Sequence, residues 1–159
     1  MKLVRNERAK FELDEFLARP LMAHLATSVP DGARDSPLWY IWEDGALWII
    51  VQQGFNTFHQ RAAEQPSAAV GIVDFDPVEG RLQHVGVRGR ASLVAWDDAR
   101  ASRLLRRYYR HLPGYVVPAP SPSDRTTSPY PMVFLRVDPD TVVLREQSYR
   151  DEVMASKDW

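Results

Sequence analysis

The chain has 159 residues, 45% hydrophobic and 26% charged, a balance that fits one folded domain and excludes a disordered one. Its 20 Lys and Arg against 21 Asp and Glu leave a formal net charge of −1, so the basic surplus that phosphate-tracking nucleic-acid binders need is missing. There is no cysteine, which removes disulfides, thiolate metal sites and a cysteine nucleophile. Met1 to Arg8 is charged and lacks the apolar core of a signal peptide, and no apolar run approaches the roughly 20 residues of a membrane span. A cytoplasmic protein without nucleic-acid or membrane partners is expected.

Residues 1–20 read as an N-terminal helical region. Its amphipathic helix, Glu7 to Arg19, carries Phe11, Phe16 and Leu17 on one stripe and is closed by Pro20. Met22 to Ser28 is extended, and Pro30-Asp31-Gly32 is turn chemistry. Pro37 to Trp42 runs into Glu43-Asp44-Gly45, a hairpin signal, and Ala46 to Val51 follows as a β-branched and aromatic strand. These three segments predict an antiparallel meander.

Gly54 to Gln65 reads as a short helix ended by Pro66, and Ala68 to Phe75 as a buried strand. Leu82 to Ala95 is a long alternating strand in which Gly86 and Gly89 predict a bulge or bend. Asp97 is a good N-cap for a helix from Asp98 to His111, whose Leu104, Leu105 and Tyr108 share a side. Arg100, Arg103, Arg106, Arg107 and Arg110 occupy its other side, read as a solvated face. Residues 113–131 are Pro-rich and read as a loop. Met132 to Val137, the turn Asp138-Pro139-Asp140, and Thr141 to Leu144 predict a last hairpin before a polar tail over 145–159. The sum is a single domain, 1–159, of the mainly β class: six or seven antiparallel strands with short flanking helices, in an order that suits a small barrel.

The chemistry-bearing residues are sparse. His24, His59, His84 and His111 are scattered, without the spacing of a helical zinc motif, and no metal is expected; His24, on an apolar strand, reads as a hydrogen-bonded core histidine. Nucleotide-binding glycine loops and a nucleophile elbow are absent. Trp39, Tyr40, Trp42 and Trp48 cluster on neighbouring strands, as core and interface or as the lining of a ligand pocket. Alternation sends Trp39 and Tyr40 to opposite faces. Gln52, Gln53, Asn56 and Thr57 follow an apolar strand, either as a capped surface turn or as donors to a phosphate.

In succession, Phe16 to Thr27, Pro37 to Tyr40 with Asp44-Gly45, Pro66 with Ala68 to Ile72, and Val85-Gly86-Val87-Arg88-Gly89-Arg90-Ala91 resemble the pyridoxamine 5'-phosphate oxidase-like proteins. The resemblance implies a flavin-binding split barrel that pairs as a homodimer, with a flavin at each of two sites between the subunits and redox chemistry on a small molecule. FMN is the usual cofactor. Relatives use the deazaflavin F420, bind haem or carry no known cofactor, and these remain alternatives. Carried over by position, the phosphate-gripping lysine falls on Phe58, its preceding polar residues on Asn56 and Thr57, and the end of the third strand on Val51, Gln52 and Gln53. A basic residue on the second strand falls near Ser36 or Pro37, and a glutamine reaching the partner's flavin falls on His84. Arg61, His59 or Arg34 would then have to supply the missing cation, while Trp39 or Tyr40 lies near the flavin ring. No catalytic acid or base is singled out, because flavin hydride chemistry does not require one.

Overall fold

The computed structural model describes residues 1–30, 32–54, 57–111, 113–114 and 131–149. Asn56, most of the Pro-rich stretch and residues 150–159 of the tail lie outside them. In chain order the elements are β1 (Lys2–Arg5), α1 (Leu13–Leu17), β2 (Ala23–Val29), β3 (Gly32–Leu38), β4 (Ile41–Glu43) and β5 (Ala46–Gln52). They continue as α2 (Phe58–Glu64), β6 (Ser67–Asp76), β7 (Arg81–Val94), α3 (Asp98–Tyr109) and β8 (Met132–Glu146).

The strands form one eight-stranded sheet in the order β3-β2-β6-β7-β8-β5-β4, with β1 pairing β8 in parallel. β3 and β4 sit at opposite ends of that order, yet only Trp39 and Tyr40 separate them in sequence. Two intervening residues span at most about 11 Å between Cα atoms. The sheet must therefore curl until its edges are neighbours, which makes a barrel split between β3 and the β4–β5 pair.

Alternation decides what the barrel encloses. Val85, Val87 and Ala91 of β7 point inward against Leu144, Val142 and Val137 of β8, and Leu25, Val70 and Ile72 complete the interior. Phe16 and Leu17 of α1 join this core at one end, while Phe58 and Ala62 of α2 join it at the other. A second core lies outside the sheet, where Ala101, Leu104 and Tyr108 of α3 cover Ile41, Trp48 and Phe134. Asp97 caps α3 by accepting from the Arg100 N–H at 3.0 Å. No helix among the described residues is long and apolar enough to cross a membrane.

Four expectations need correction. The first helix is only five residues long, because Asn6 turns the chain before it: the Ala9 N–H donates to Asn6 Oδ1 at 2.9 Å and to Asn6 O at 3.1 Å. The charged N-terminus is a strand, held by β8. The three-stranded meander does not form: β2 pairs β3 and β6, whereas β5 pairs β4 and β8, so the chain switches edges at Trp39 and Tyr40.

The last hairpin is instead one 15-residue strand, β8. Its pairing with β7 passes from Arg88↔Thr141 to Gly89↔Pro139, leaving Asp140 as a bulge. Gly89 permits this, since a Cβ there would collide with the Asp138 carbonyl. The turn-like Asp-Pro-Asp therefore bends the strand without reversing it, and the strand total is eight, not six or seven.

Candidate functional site

The split creates the first part of the site. β4 pairs only with Ala46 to Trp48, so the second half of β5 has no partner strand on that side. A pocket of about 370 Å³ opens there. Met22, Pro37, Leu38 and Trp39 form one bank, Ile49 and Ile50 of β5 the other, and Leu104 and Leu105 of α3 the floor. Every lining side chain is apolar. Trp39 is fixed by α3, its ring stacked on Tyr108 with centroids 4.8 Å apart and meeting Tyr109 edge-on at 5.1 Å.

The second part begins at Ser36, one residue before the pocket's Pro37. Arg61 of α2 donates from Nη2 to Ser36 Oγ at 3.3 Å, from Nε to Thr27 Oγ1 at 3.0 Å and from Nη1 to Thr57 Oγ1 at 2.7 Å. A guanidinium has five N–H donors, so three bonds leave two unused. All three partners are neutral hydroxyls, and among the described residues Arg61 makes no ion pair. The hydroxyl protons of Thr27, Ser36 and Thr57 also remain available to an acceptor. Chemically this is a cradle for an anion, one strand-step from an apolar slot.

The expected site residues divide sharply. Trp39 lines the pocket, and Thr57 and Arg61 form the cradle. Gln52 ends β5 opposite Met132, and the Gln53 N–H donates to Pro131 O at 3.1 Å, so both sit at the cradle end of the split. Tyr40 does not line a ligand site: it is fully buried, its hydroxyl directed at Arg19 O, with the Arg107 guanidinium 4.6 Å from its ring. Burial pushes its phenol far above the ordinary value. Val51 and Phe58 are likewise core. The position read as that of a phosphate-gripping lysine is therefore filled by a packed ring, and the nearby cation is Arg61. Of the other candidates for that cation, His59 is buried and Arg34 lies exposed on β3.

His84 stands apart from both parts, on the outer face of β7. Its ring lies over Gly71 and Gly86, where a Cβ on Gly86 would be 3.1 Å from Cε1. Burial first, then the Arg145 charge, lowers its pKa. His24 is not a core histidine. It is exposed on the outer face of β2, with Nδ1 2.9 Å from Asp35 Oδ2.

The arginines of α3 are not simply a solvated face. Arg100 pairs with Glu43, Asp44 and Asp97, Arg103 binds Glu43 at 2.6 Å, and Arg107 donates to the Leu17 and Arg19 carbonyls at the end of α1. Arg100 and Arg136 both lie over Trp48, at 3.6 and 5.1 Å from its ring centroid. The hydrogen bond from Arg103 is the main reason the Glu43 carboxyl is held below its usual value. Sequence reasoning missed Thr27 and Ser36 as partners of Arg61. The available signal was that both are hydroxyl residues on adjacent strands.

The sequence pattern of the family described as pyridoxamine 5'-phosphate oxidase matches residues 9–145. No curated protein matches the chain. Among solved structures it is similar to one described as an F420 reductase, at 24% identity and a TM-score of 0.60, covering 81% of this chain and 94% of that one. A conserved hypothetical protein from Mycobacterium tuberculosis is similar at 18% identity and a TM-score of 0.68, covering 89% of each chain. A FAD-binding protein from Mesorhizobium loti is similar at 20% identity and 0.62, covering 84% of this chain and 91% of that one. At these identities the likeness to solved structures establishes the fold.

Proposed function

This chain belongs to the pyridoxamine 5'-phosphate oxidase family, and on that footing we propose that it binds a flavin-type cofactor and carries out two-electron redox chemistry on a small molecule. The observation that carries this reading is the Arg61 cradle. Two unused guanidinium N–H groups and three hydroxyls are grouped at one end of an apolar split, as an anionic group attached to a flat apolar ring system requires. Bonds from a guanidinium to a phosphate are roughly twice as strong as neutral ones, so Arg61 replaces in kind the lysine that Phe58 displaces.

The cofactor supplies the hydride transfer. The chain's own contribution is position and dryness. Arg61, with Thr27, Ser36 and Thr57, holds the phosphate, while Trp39, Leu38 and Ile50 exclude water from the ring. FMN is the first cofactor to test. The names of similar proteins, an F420 reductase and a FAD-binding protein, make F420 and FAD the next two. The functional unit in this reading is a homodimer. Support for it comes from the outer face of β6, where Val73 is 44% and Phe75 62% exposed, as on interaction surfaces.

The test is to incubate the purified protein with FMN, FAD or F420 in turn, desalt it, and record its absorption. About one cofactor retained per chain supports the reading, and retention of none of the three overturns it.

A further inference from the structure

On the outer face of the sheet, beside the apolar pocket, lies a His–Asp pair that cofactor binding does not use. His24 is the cross-strand partner of Pro37 and stands two residues after Met22, and both of those line the pocket. Directly paired residues on one face have Cβ atoms about 5 Å apart, so the imidazole stands at the pocket rim. Its Nδ1 is 2.9 Å from Asp35 Oδ2, and the side chains are 53% and 57% exposed. With Nδ1–H donated to a carboxylate, the ring is oriented and Nε2 becomes the nitrogen that takes up and releases a proton. The pocket itself offers no polar group to an acceptor.

We propose that His24, positioned by Asp35, is the proton donor to an uncharged, apolar acceptor, such as a conjugated ketone, seated in the pocket of Pro37, Leu38, Trp39 and Ile50. This rests on the cofactor reading above, since the acceptor must be reduced by something. The acceptor's β-carbon gains a hydride, with its electron pair, from the reduced flavin-type cofactor. The C=C π electrons then move toward the carbonyl, leaving negative charge on oxygen. His24 Nε2–H delivers a proton there, and tautomerisation yields the saturated ketone. The imidazole recovers its proton from solvent, and the cofactor leaves oxidised. Polarity favours this arrangement: an apolar wall accepts the carbon skeleton, while the single titratable group at the rim meets the one atom that becomes charged.

The titratable and charged groups facing His24 are Asp35 from β3 and, across Gly71, His84 from β7. The neighbouring β6 residue, Gly71, contributes none, and α3 presents Leu104 and Leu105 to the pocket.

Two readouts test the proposal, one free of turnover. p-Nitrophenolate imitates the developing oxyanion on a flat ring, and its absorbance reports binding. His24→Ala should weaken it about tenfold or more, as loss of a charge-assisted hydrogen bond does. In single turnover, protein carrying a retained, reduced cofactor is mixed with 2-cyclohexen-1-one. His24→Ala should slow reoxidation about 100-fold and abolish the fall in rate with rising pH that the wild type shows. Asp35→Asn should slow it about tenfold, and neither variant should alter cofactor retention.

Equal p-nitrophenolate binding, or an unchanged rate or pH profile in His24→Ala, overturns the proposal while leaving cofactor binding intact. A loaded wild type that does not reduce cyclohexenone also overturns it. Failure of the wild type to retain any cofactor removes the reading beneath it, which separates the two failures.

Discussion

The molecule holds arginines in two opposite ways. On α3, Arg100 and Arg103 are answered by carboxylates of Glu43, Asp44 and Asp97. On α2, Arg61 is answered by three hydroxyls. The first cluster is a finished clamp: its charge is neutralised, and it fastens α3 over Trp48 and the turn between β4 and β5. The second is unfinished, fixed in direction but with charge and donors to spare. Identity of the partner, and not density of basic residues, separates a structural arginine from one ready for a ligand. Along the sequence the α3 stripe is the more conspicuous, and it is the less functional of the two.

The comparison can be broken most severely at Phe58. If the ligand cation were needed there, Phe58→Lys would improve cofactor binding. The packed ring predicts instead a loss of about 4 kcal/mol of stability from a vacated core and a buried ammonium, read by denaturant unfolding, with no gain in affinity.

Next is the clamp. Glu43→Ala should cost about 2 kcal/mol, because it strands Arg100 and Arg103, and should leave cofactor affinity unchanged. The sign of its pH dependence follows from the lowered Glu43 pKa. The stabilisation is present above the ordinary value of 4.5 and is lost as pH falls through the depressed one. The gap in unfolding free energy between wild type and Glu43→Gln should therefore close in acid. A gap independent of pH would show that the clamp contributes through packing and not charge. The smallest effect is expected at Thr57→Ala, which removes one of three anchors of Arg61 and should weaken cofactor binding about fivefold with little change in stability.

Much of the fold was readable where the cause is local. The alternation of β7, the Asp97 cap and the Asp44-Gly45 turn, with φ of 53° and 70°, all depend on residues a few positions apart. Readings failed where a distant strand decided the outcome. Asp138-Pro139-Asp140 has turn chemistry, yet Gly89 on β7 lets β8 run straight past it as a bulge. β1 has no pattern of its own and exists because β8 is there to receive it.

The site follows the same division. Arg61 was among the candidates for the missing cation, but its partners Thr27 and Ser36 lie 34 and 25 residues away, joined only when β2 and β3 fold against α2. Tyr40 was misplaced because alternation was carried through Pro37 to Trp42 as one strand, and the chain changes edge within it.

The most direct measurement is a fluorescence or absorbance titration of whichever of FMN, FAD and F420 the wild type retains, run in parallel on Arg61→Leu with thermal unfolding of both. The cradle predicts an affinity loss of about 100-fold, the size of a charge-assisted contact to phosphate, with stability shifted by no more than about 1 kcal/mol. Equal affinity in Arg61→Leu would contradict the assignment of Arg61 as the phosphate-binding residue.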